Sequence, residues 1–146
     1  MTAEVAFHTG VEDKLAHTCR LLRKAYRQGA RVVVSGAPPL LQRLDQALWT
    51  FEPQEFVPHV RLRPGERPAQ AQGRTPIWLV EPGAAMPHHE VLVNLGPERV
   101  EGDEQFARII EIVSREPEDL AAGRRRWKLY ESQGVHITHH AQGAAS

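Results

Sequence analysis

The feature that most constrains the fold is a short β-branched run at residues 31–35, Arg-Val-Val-Val-Ser, bounded by Gly29 and Gly36. A strand without polar alternation is typical of one buried on both faces, as the strands of parallel sheets are. The preceding segment, residues 12–28, predicts a helix, because its apolar residues recur at steps of four, three and four, at Leu15, Cys19, Leu22 and Tyr26. The sequence therefore predicts an α/β fold.

The other elements follow the same logic. Alternation at residues 3–8 predicts a first strand, and strand, helix, strand predicts a parallel pair with a right-handed crossover. We further predict a helix from Leu40 to about residue 51, an open loop at 61–75, strands at 76–80 and 90–95, a helix from Asp103 through Phe106, Ile109, Ile110 and Val113, a helix from Pro117 to Gly134, and edge packing or pairing at 135–138. Together they predict a single-domain, mostly parallel, Rossmann-like sheet flanked by helices over residues 1–140, with a flexible C-terminal tail at 141–146.

Charge and cysteine content exclude several classes of protein. Eighteen basic residues balance eighteen acidic ones, so any electrostatic partner must be bound by a local patch. Cys19 is the single cysteine, which excludes an internal disulfide, fits a reducing compartment and suggests a thiol that faces the core. No apolar run approaches the roughly 18 residues of a membrane helix. We expect a cytoplasmic protein with no membrane contact.

Motifs for catalysis or cofactor binding are weak. The turn at Ser35-Gly36 follows a strand, where α/β folds often bind phosphate, yet it lacks the residues of a P-loop or a dinucleotide fingerprint. Neither Ser35 nor Cys19 is accompanied by an identifiable base. A metal site is a further hypothesis, built on His136, His139 and His140 beside His88 and His89, but no cysteine pair or zinc motif supports it. We predict no catalytic residue, cofactor or metal.

A basic, aromatic segment near the C-terminus is the strongest candidate for binding. Arg124 and Lys128 are four residues apart on one helix face, and Trp127 lies between them. Such a face can bind carboxylates, while Trp127 with Val135 and Ile137 can receive an apolar side chain. The alternatives are a solvated face with its aromatic residues in the core, or a direct nucleic-acid-binding module.

A second candidate is the crowding of large apolar residues around the end of the second predicted helix. Trp49, Phe51, Phe56, Val57 and Pro58 lie where polar turn residues are expected. They are either a buried group under the sheet edge or an exposed patch that docks another protein. The residues alone leave both interpretations open.

Several segments in order resemble one family. They are Leu-Asp-Gln-Ala-Leu-Trp at 44–49, Phe-Val-Pro-His at 56–59, residues 106–113, and Arg-Arg-Arg-Trp-Lys-Leu-Tyr at 124–130 with Gly134. Together with the first strand and residues 31–34, they resemble the chi subunit of the bacterial DNA polymerase III holoenzyme. The resemblance implies a non-catalytic adaptor of the clamp-loader assembly, with a nucleotide-binding-like fold that has lost nucleotide chemistry. A nucleotide-dependent enzyme remains a less favoured alternative.

The resemblance also implies two sites. One binds the acidic, phenylalanine-ended C-terminal tail of single-stranded DNA-binding protein, so that DNA is reached only indirectly. The other binds the psi subunit or a helicase-like partner. The tail site is implied at Val113, Arg124, Arg125, Trp127, Lys128 and Val135, and the psi-type site at Trp49, Phe56 and Pro58.

Two positions depart from the family pattern. Leu120 stands where a cation is often found, so that Arg125 or Arg126 is expected to substitute. Gly123 costs about 1 kcal/mol in a helix interior, which is unexpected unless close packing requires it.

Overall fold

The computed structural model describes residues 2–50, 56–66 and 75–142. They form a seven-stranded sheet in which every neighbouring pair is parallel, in the order β3-β4-β2-β5-β6-β1-β7. Along the chain the elements are β1 (Glu4–Val11), α1 (Lys14–Arg27), β2 (Val32–Ser35), α2 (Pro38–Thr50), β3 (His59–Leu62), β4 (Ile77–Val80), β5 (Val91–Asn94), β6 (Arg108–Ser114), α3 (Pro117–Ser132) and β7 (Ile137–Ala141). The predicted α/β class with a parallel sheet is confirmed.

The helices begin and end at residues suited to those positions. Asp13 caps α1 by accepting a hydrogen bond from the Ala16 amide at 3.1 Å, and Gly29 takes the left-handed conformation after the helix. Pro117 begins α3, where its missing N–H has no helical acceptor to lose, and Gly134 follows its end. Within these described segments, no helix is long and apolar enough to cross a membrane.

The sheet is packed on both faces. Val32 and Val34 join a core with α1 and α2, which contribute Cys19, Leu22 and Leu44 among others. Val33 points the other way, into a core that includes Trp78 and Tyr130 of α3. Val32–Ser35 thus form a strand buried on both faces, as predicted for this run, while Arg31 before it is exposed; the thiol of Cys19 lies in the core.

The predicted helix from Asp103 is wrong. Only a short 3-10 turn, Asp103–Gln105, occurs there, and residues 108–114 form the central strand β6. The apolar positions 106, 109, 110 and 113 fit a helix period, but residues 109, 110 and 113 belong to an almost continuous β-branched run, 109–113, that is buried on both faces. Burial between β5 and β1 favours the strand.

Two further predictions need correction. β1 and β2 are parallel but not neighbours, because β5 and β6 lie between them. The predicted loop at 61–75 overlaps strand β3, whose residues His59–Leu62 pair with β4 at the sheet edge. At the other edge, residues 137–141 pair with β1, so the predicted edge packing of residues 135–138 takes the form of strand β7. Residues 51, 67–74 and 143–146, which carried other predictions, lie outside the described residues.

Candidate functional site

A groove of about 510 Å³ runs between α3 and the edge of the sheet. Four of the six residues predicted for the tail site line it: Val113, Arg124, Trp127 and Lys128. The remaining lining residues come from β1, from α3 and from β7, and are Phe7, Thr9, Leu120, Gly123, Glu131 and His139. The structure therefore brings apolar and cationic groups together at one place.

The floor of the groove depends on close packing of α3 against β6. A Cβ atom added to Gly123 would lie 2.9 and 3.0 Å from the two Cγ atoms of Val113, closer than such carbons approach. The glycine lets the helix come this near to the strand, which explains its presence inside α3. Trp127 lies beside this contact, with its ring centroid 4.9 Å from that of Phe7. Phe7, Val113 and Trp127 thus form an apolar floor in which the Trp127 ring is partly exposed.

The three consecutive arginines differ in environment. Arg124 is exposed and lines the groove, whereas Arg126 is 1% exposed and donates to Glu111 at 2.9 Å. Arg125 is exposed but does not line the groove. Within residues 2–50, 56–66 and 75–142, Arg124 and Lys128 form no ion pair or hydrogen bond with a side chain. Their charges are available to a ligand.

The remaining groove positions set its ends. Val135, predicted for the tail site, is only partly buried and packs against the core beneath α3 without lining the groove. His139 bonds the Thr9 hydroxyl through Nε2 at 2.6 Å and places its ring edge-on to Trp127, 5.5 Å between centroids. Glu131 contributes a negative charge at the C-terminal end of α3. The groove is cationic along α3 and acidic at one end.

A buried polar network fixes the inner face of α3. Glu111 of β6 is fully buried and accepts from Arg126 Nε at 2.9 Å, from the Tyr130 hydroxyl at 2.8 Å and from Asn94 Nδ2 at 3.0 Å. Burial raises the pKa of Glu111 and the Arg126 charge opposes that rise, while burial and the Glu111 charge raise the pKa of Tyr130. The net effect raises the pKa of Glu111, although each of its hydrogen bonds favours the charged form.

The network extends from α3 to the segment before β6. The Tyr130 hydroxyl oxygen also lies 3.1 Å from Asp103 Oδ2, and Arg99 forms an ion pair with Asp103 at 2.9 Å while stacking over the Tyr130 ring at 4.3 Å. The contacts of Arg99, Asp103 and Tyr130 were not predicted from the sequence. The available signal was Glu111, an acid inside the apolar run of residues 109–113, since a buried charge requires a partner.

The second predicted site is an exposed aromatic pair. The side chains of Trp49 and Phe56 are 60% and 49% exposed, and their ring centroids are 4.7 Å apart. Pro58 is half-buried, and Val57 is buried. The two aromatic residues are therefore exposed and Val57 is buried, while docking of another protein at the pair stays a prediction.

A hydrogen-bonded histidine holds this pair in place. The buried imidazole of His59 donates to the Val57 carbonyl through Nδ1 at 2.7 Å and bonds Asp45 through Nε2 at 2.6 Å. Its ring lies 5.7 Å from that of Trp49. Asp45 of α2 and His59 of β3 thus connect the two elements that carry the aromatic residues.

The other candidate sites from the sequence receive no supporting geometry. Within the described part of the chain, no three His, Cys, Asp or Glu side chains are grouped as metal ligands, so His88, His89, His136 and His140 are not brought into such a group. Ser35 and Gly36 line a depression of about 620 Å³ at the carboxyl ends of β2 and β5. No cation that lines this depression is available to phosphate, since its one basic residue, Arg99, is bonded to Asp103.

Comparison with known proteins gives concordant matches. The family model of the DNA polymerase III chi subunit, HolC, matches residues 1–138. The chain is 33% identical over 128 residues to the DNA polymerase III subunit chi of Pseudomonas aeruginosa, covering 87% of this chain and 85% of the relative. It is 29% identical over 124 residues to that of Haemophilus influenzae, covering 82% and 81%, and 25% identical over 121 residues to that of Escherichia coli, covering 82% and 79%.

One solved structure resembles the fold. Domain 2 of the DEAD-box helicase Mss116p, in a structure with an RNA duplex, superposes with a TM-score of 0.55 at 9% identity. The superposition covers 95% of this chain, which spans 63% of that helicase chain. At this identity the likeness describes the arrangement of strands and helices alone.

Proposed function

The chain belongs to the family of DNA polymerase III chi subunits, accessory and not catalytic subunits of the polymerase, and from that premise we propose an adaptor with two docking sites. The groove along α3 binds the acidic C-terminal tail of single-stranded DNA-binding protein. The aromatic pair, Trp49 and Phe56, binds a psi-type subunit of the clamp-loader assembly. This role places the protein in the cytoplasm with the replication machinery.

The observation that carries the tail proposal is the placement of two available cations above an apolar floor. Arg124 and Lys128 supply charge for the acidic residues and the terminal carboxylate of the peptide. Phe7, Val113 and Trp127 supply the apolar contact for an aromatic side chain. A helix face that is only solvated would have exposed cations but would have no need of an apolar floor beside them.

The groove also suggests how the peptide is oriented. Glu131 repels acidic residues from one end, while Arg124 attracts them one to two turns earlier on the same helix. Lys128 lies between the two, one turn from Arg124. The peptide's carboxylates therefore align towards the Arg124 end. Ordering a flexible tail costs conformational entropy, so affinity is modest and decreases as salt screens the charges.

The test is a titration of the protein with a tail peptide. Arg124→Ala weakens binding several-fold or more, since the groove loses a charge whose partner comes from the peptide. Arg125→Ala is the matched comparison: although the family resemblance implies a role for Arg125, its position outside the groove predicts a smaller effect. Unchanged affinity of Arg124→Ala would remove the tail-site assignment.

The psi-type site rests on exposed aromatic area. The adjacent rings of Trp49 and Phe56 form an exposed apolar patch, and such patches often mark protein interaction sites. Large aromatic residues contribute much of the binding energy at interfaces. The bond between Asp45 and His59 holds the patch rigidly, which lowers the cost of ordering it on binding. Pro58 borders the same segment.

Titration with a psi subunit tests this site. Trp49→Ala abolishes measurable binding and leaves the unfolding midpoint nearly unchanged, because the ring is mostly exposed. Leu129→Ala is a matched control, since Leu129 is a large apolar residue, 50% exposed, on a different element. If both variants bind normally, the partner does not use this patch. A helicase-like partner is the alternative ligand to titrate.

A further inference from the structure

The first helix has an unusual charge composition for a neutral chain. Residues 14–27 contain five lysines and arginines, one histidine and no aspartate or glutamate. This helix packs on the opposite face of the sheet from α3, so its charge is separate from the tail groove. Neither proposed docking site uses it.

Two of the cations on this helix are available to a ligand. Arg20 and Lys24 lie one helical turn apart and are exposed. Across the three stretches that the structure describes, neither side chain forms an ion pair or a hydrogen bond. By contrast, Lys14 is paired with Asp119 at 2.9 Å. Uncompensated charge is therefore concentrated on the middle of α1.

Lys24 borders a groove of about 360 Å³ between α1 and the sheet. Its apolar lining consists of the partly exposed Leu21 of α1 and Val91 of β5, which lie over the buried Val93 and Ile110. Arg108 of β6 is a second cation beside Lys24, His8 of β1 and His140 of β7 lie next to them, and no acidic residue lines the groove among the described residues. Glu4 approaches Arg108 only to 4.0 Å, and the Arg108 side chain remains 46% exposed.

Two histidines, His8 and His140, lie beside these cations. The pKa of His8 is lowered to about 4 by its burial and then by the neighbouring His17, His140 and Arg108. His8 is therefore neutral at physiological pH and bonds His17 Nε2 through Nδ1 at 2.9 Å. Its ring lies 5.1 Å from that of His140, and both rings line the groove, where they offer aromatic surface.

We propose that this α1 face binds a single strand of DNA. Phosphates contact Lys24 and Arg108, which line the groove, and Arg20, which lies one turn from Lys24 on α1 outside the groove. Unpaired bases lie against the partly exposed Leu21 and Val91 and the rings of His8 and His140. A single strand matches both properties because it exposes charge and aromatic faces together. A duplex hides its bases, so the apolar lining would have no counterpart in it. An acidic peptide would match the cations, but its side chains would not match two adjacent imidazole rings as bases do.

Fluorescence anisotropy with a labelled oligothymidylate of about 16 nucleotides tests the proposal, at low salt where phosphate contacts are strongest. Arg20→Glu/Lys24→Glu weakens binding about tenfold or more and lowers the salt dependence, since each lost phosphate contact reduces the slope by about 0.7. Arg63→Glu, an exposed cation after β3, is the matched control and binds DNA normally. Arg124→Glu loses the tail peptide but retains DNA.

A second measurement uses the unmodified protein. With bound oligothymidylate, Lys24 is protected from acetylation and Lys128 is not, because the two lysines lie on opposite faces of the sheet. Absence of DNA binding, or equal losses in Arg63→Glu, overturns the proposal. Equal competition by duplex DNA, or by an acidic peptide, assigns the face to another ligand and overturns it too. The α1 variants are also titrated with the tail peptide and should bind it normally. A failure of the DNA proposal can therefore be distinguished from a failure of the tail site.

Discussion

Gly123→Ala should destabilise the protein, although alanine is the better helix former. In the middle of α3, alanine gains about 1 kcal/mol of helix propensity over glycine. The new Cβ atom, however, meets Val113 Cγ2 at 2.9 Å and Cγ1 at 3.0 Å. Val113 is short, branched and buried in β6, so it cannot turn away, and overpacking of this kind costs about 1–3 kcal/mol. We expect a net loss of about 1 kcal/mol in unfolding free energy.

The same substitution should change sign when Val113 is truncated. Val113→Ala removes both Cγ atoms and leaves only the Val113 Cβ, which lies 3.6 Å from the added carbon, an ordinary contact distance. In that background Gly123→Ala should stabilise by about 1 kcal/mol, which makes the coupling between the two substitutions about 2 kcal/mol. Neither residue alone predicts this result.

Urea denaturation followed by circular dichroism, with the four chains of the double-mutant cycle, measures both effects. Ala121→Gly supplies the reference, since Ala121 is exposed on the same helix and should lose about 1 kcal/mol through propensity alone. If Gly123→Ala stabilises the chain that retains Val113, or if the cycle is additive, the packing argument is refuted. Close approach would then not explain the glycine.

Three further predictions concern buried polar groups. Arg126→Met should cost about 3–5 kcal/mol at neutral pH, because it leaves the buried Glu111 carboxylate unpaired; its unfolding free energy should recover as pH falls towards the ordinary glutamate range, and denaturation at several pH values measures both. The pKa of His8 is lowered to about 4 from 6.5 in the folded protein, so the unfolded chain binds this proton at a higher pH than the folded chain does. The free energy of unfolding should therefore fall as pH falls from 6.5 to 4, and His8→Asn should reduce that loss in a plot of unfolding free energy against pH. Asp45→Ala should cost about 1–3 kcal/mol by leaving a nitrogen of the buried His59 ring without its acceptor, and calorimetry should show a lowered melting temperature.

Helices and strands were predicted correctly where the spacing of apolar residues fits only one type of secondary structure. The helix α1 has a single apolar stripe ended by Gly29, and residues 31–35 are too short and too β-branched for a helix. For β6, the apolar positions satisfied both periods, and only its place between two other strands decides between them. The order of strands was equally inaccessible, because loops between parallel strands do not specify which strands become neighbours.

The site was predictable in its chemistry more than in its geometry. The spacing of Arg124 and Lys128 placed them on one helix face without any structure. Arg126 points inward because it pairs with Glu111 of β6. The segment that contains Glu111 had been predicted as a helix, so this pairing could not be foreseen. The role of Asp45 was also hidden, since its partner His59 comes fourteen residues later, after the end of the helix.

The proposed binding surfaces differ from the crevice at the carboxyl ends of β1 and β6 in whether their cations are already paired within the protein. β1 is followed by α1 on one face and its neighbour β6 by α3 on the other, so a crevice opens at their carboxyl ends, where open α/β sheets commonly bind ligands. Lys14 occupies this position, with its ammonium bonded to the Leu95 carbonyl at 3.0 Å and paired with Asp119. An anionic ligand there would have to break both contacts. Among the residues that the structure describes, Arg124, Lys128 and Lys24 form no side-chain hydrogen bond or ion pair, so an anionic ligand would break no such contact at the two helix faces.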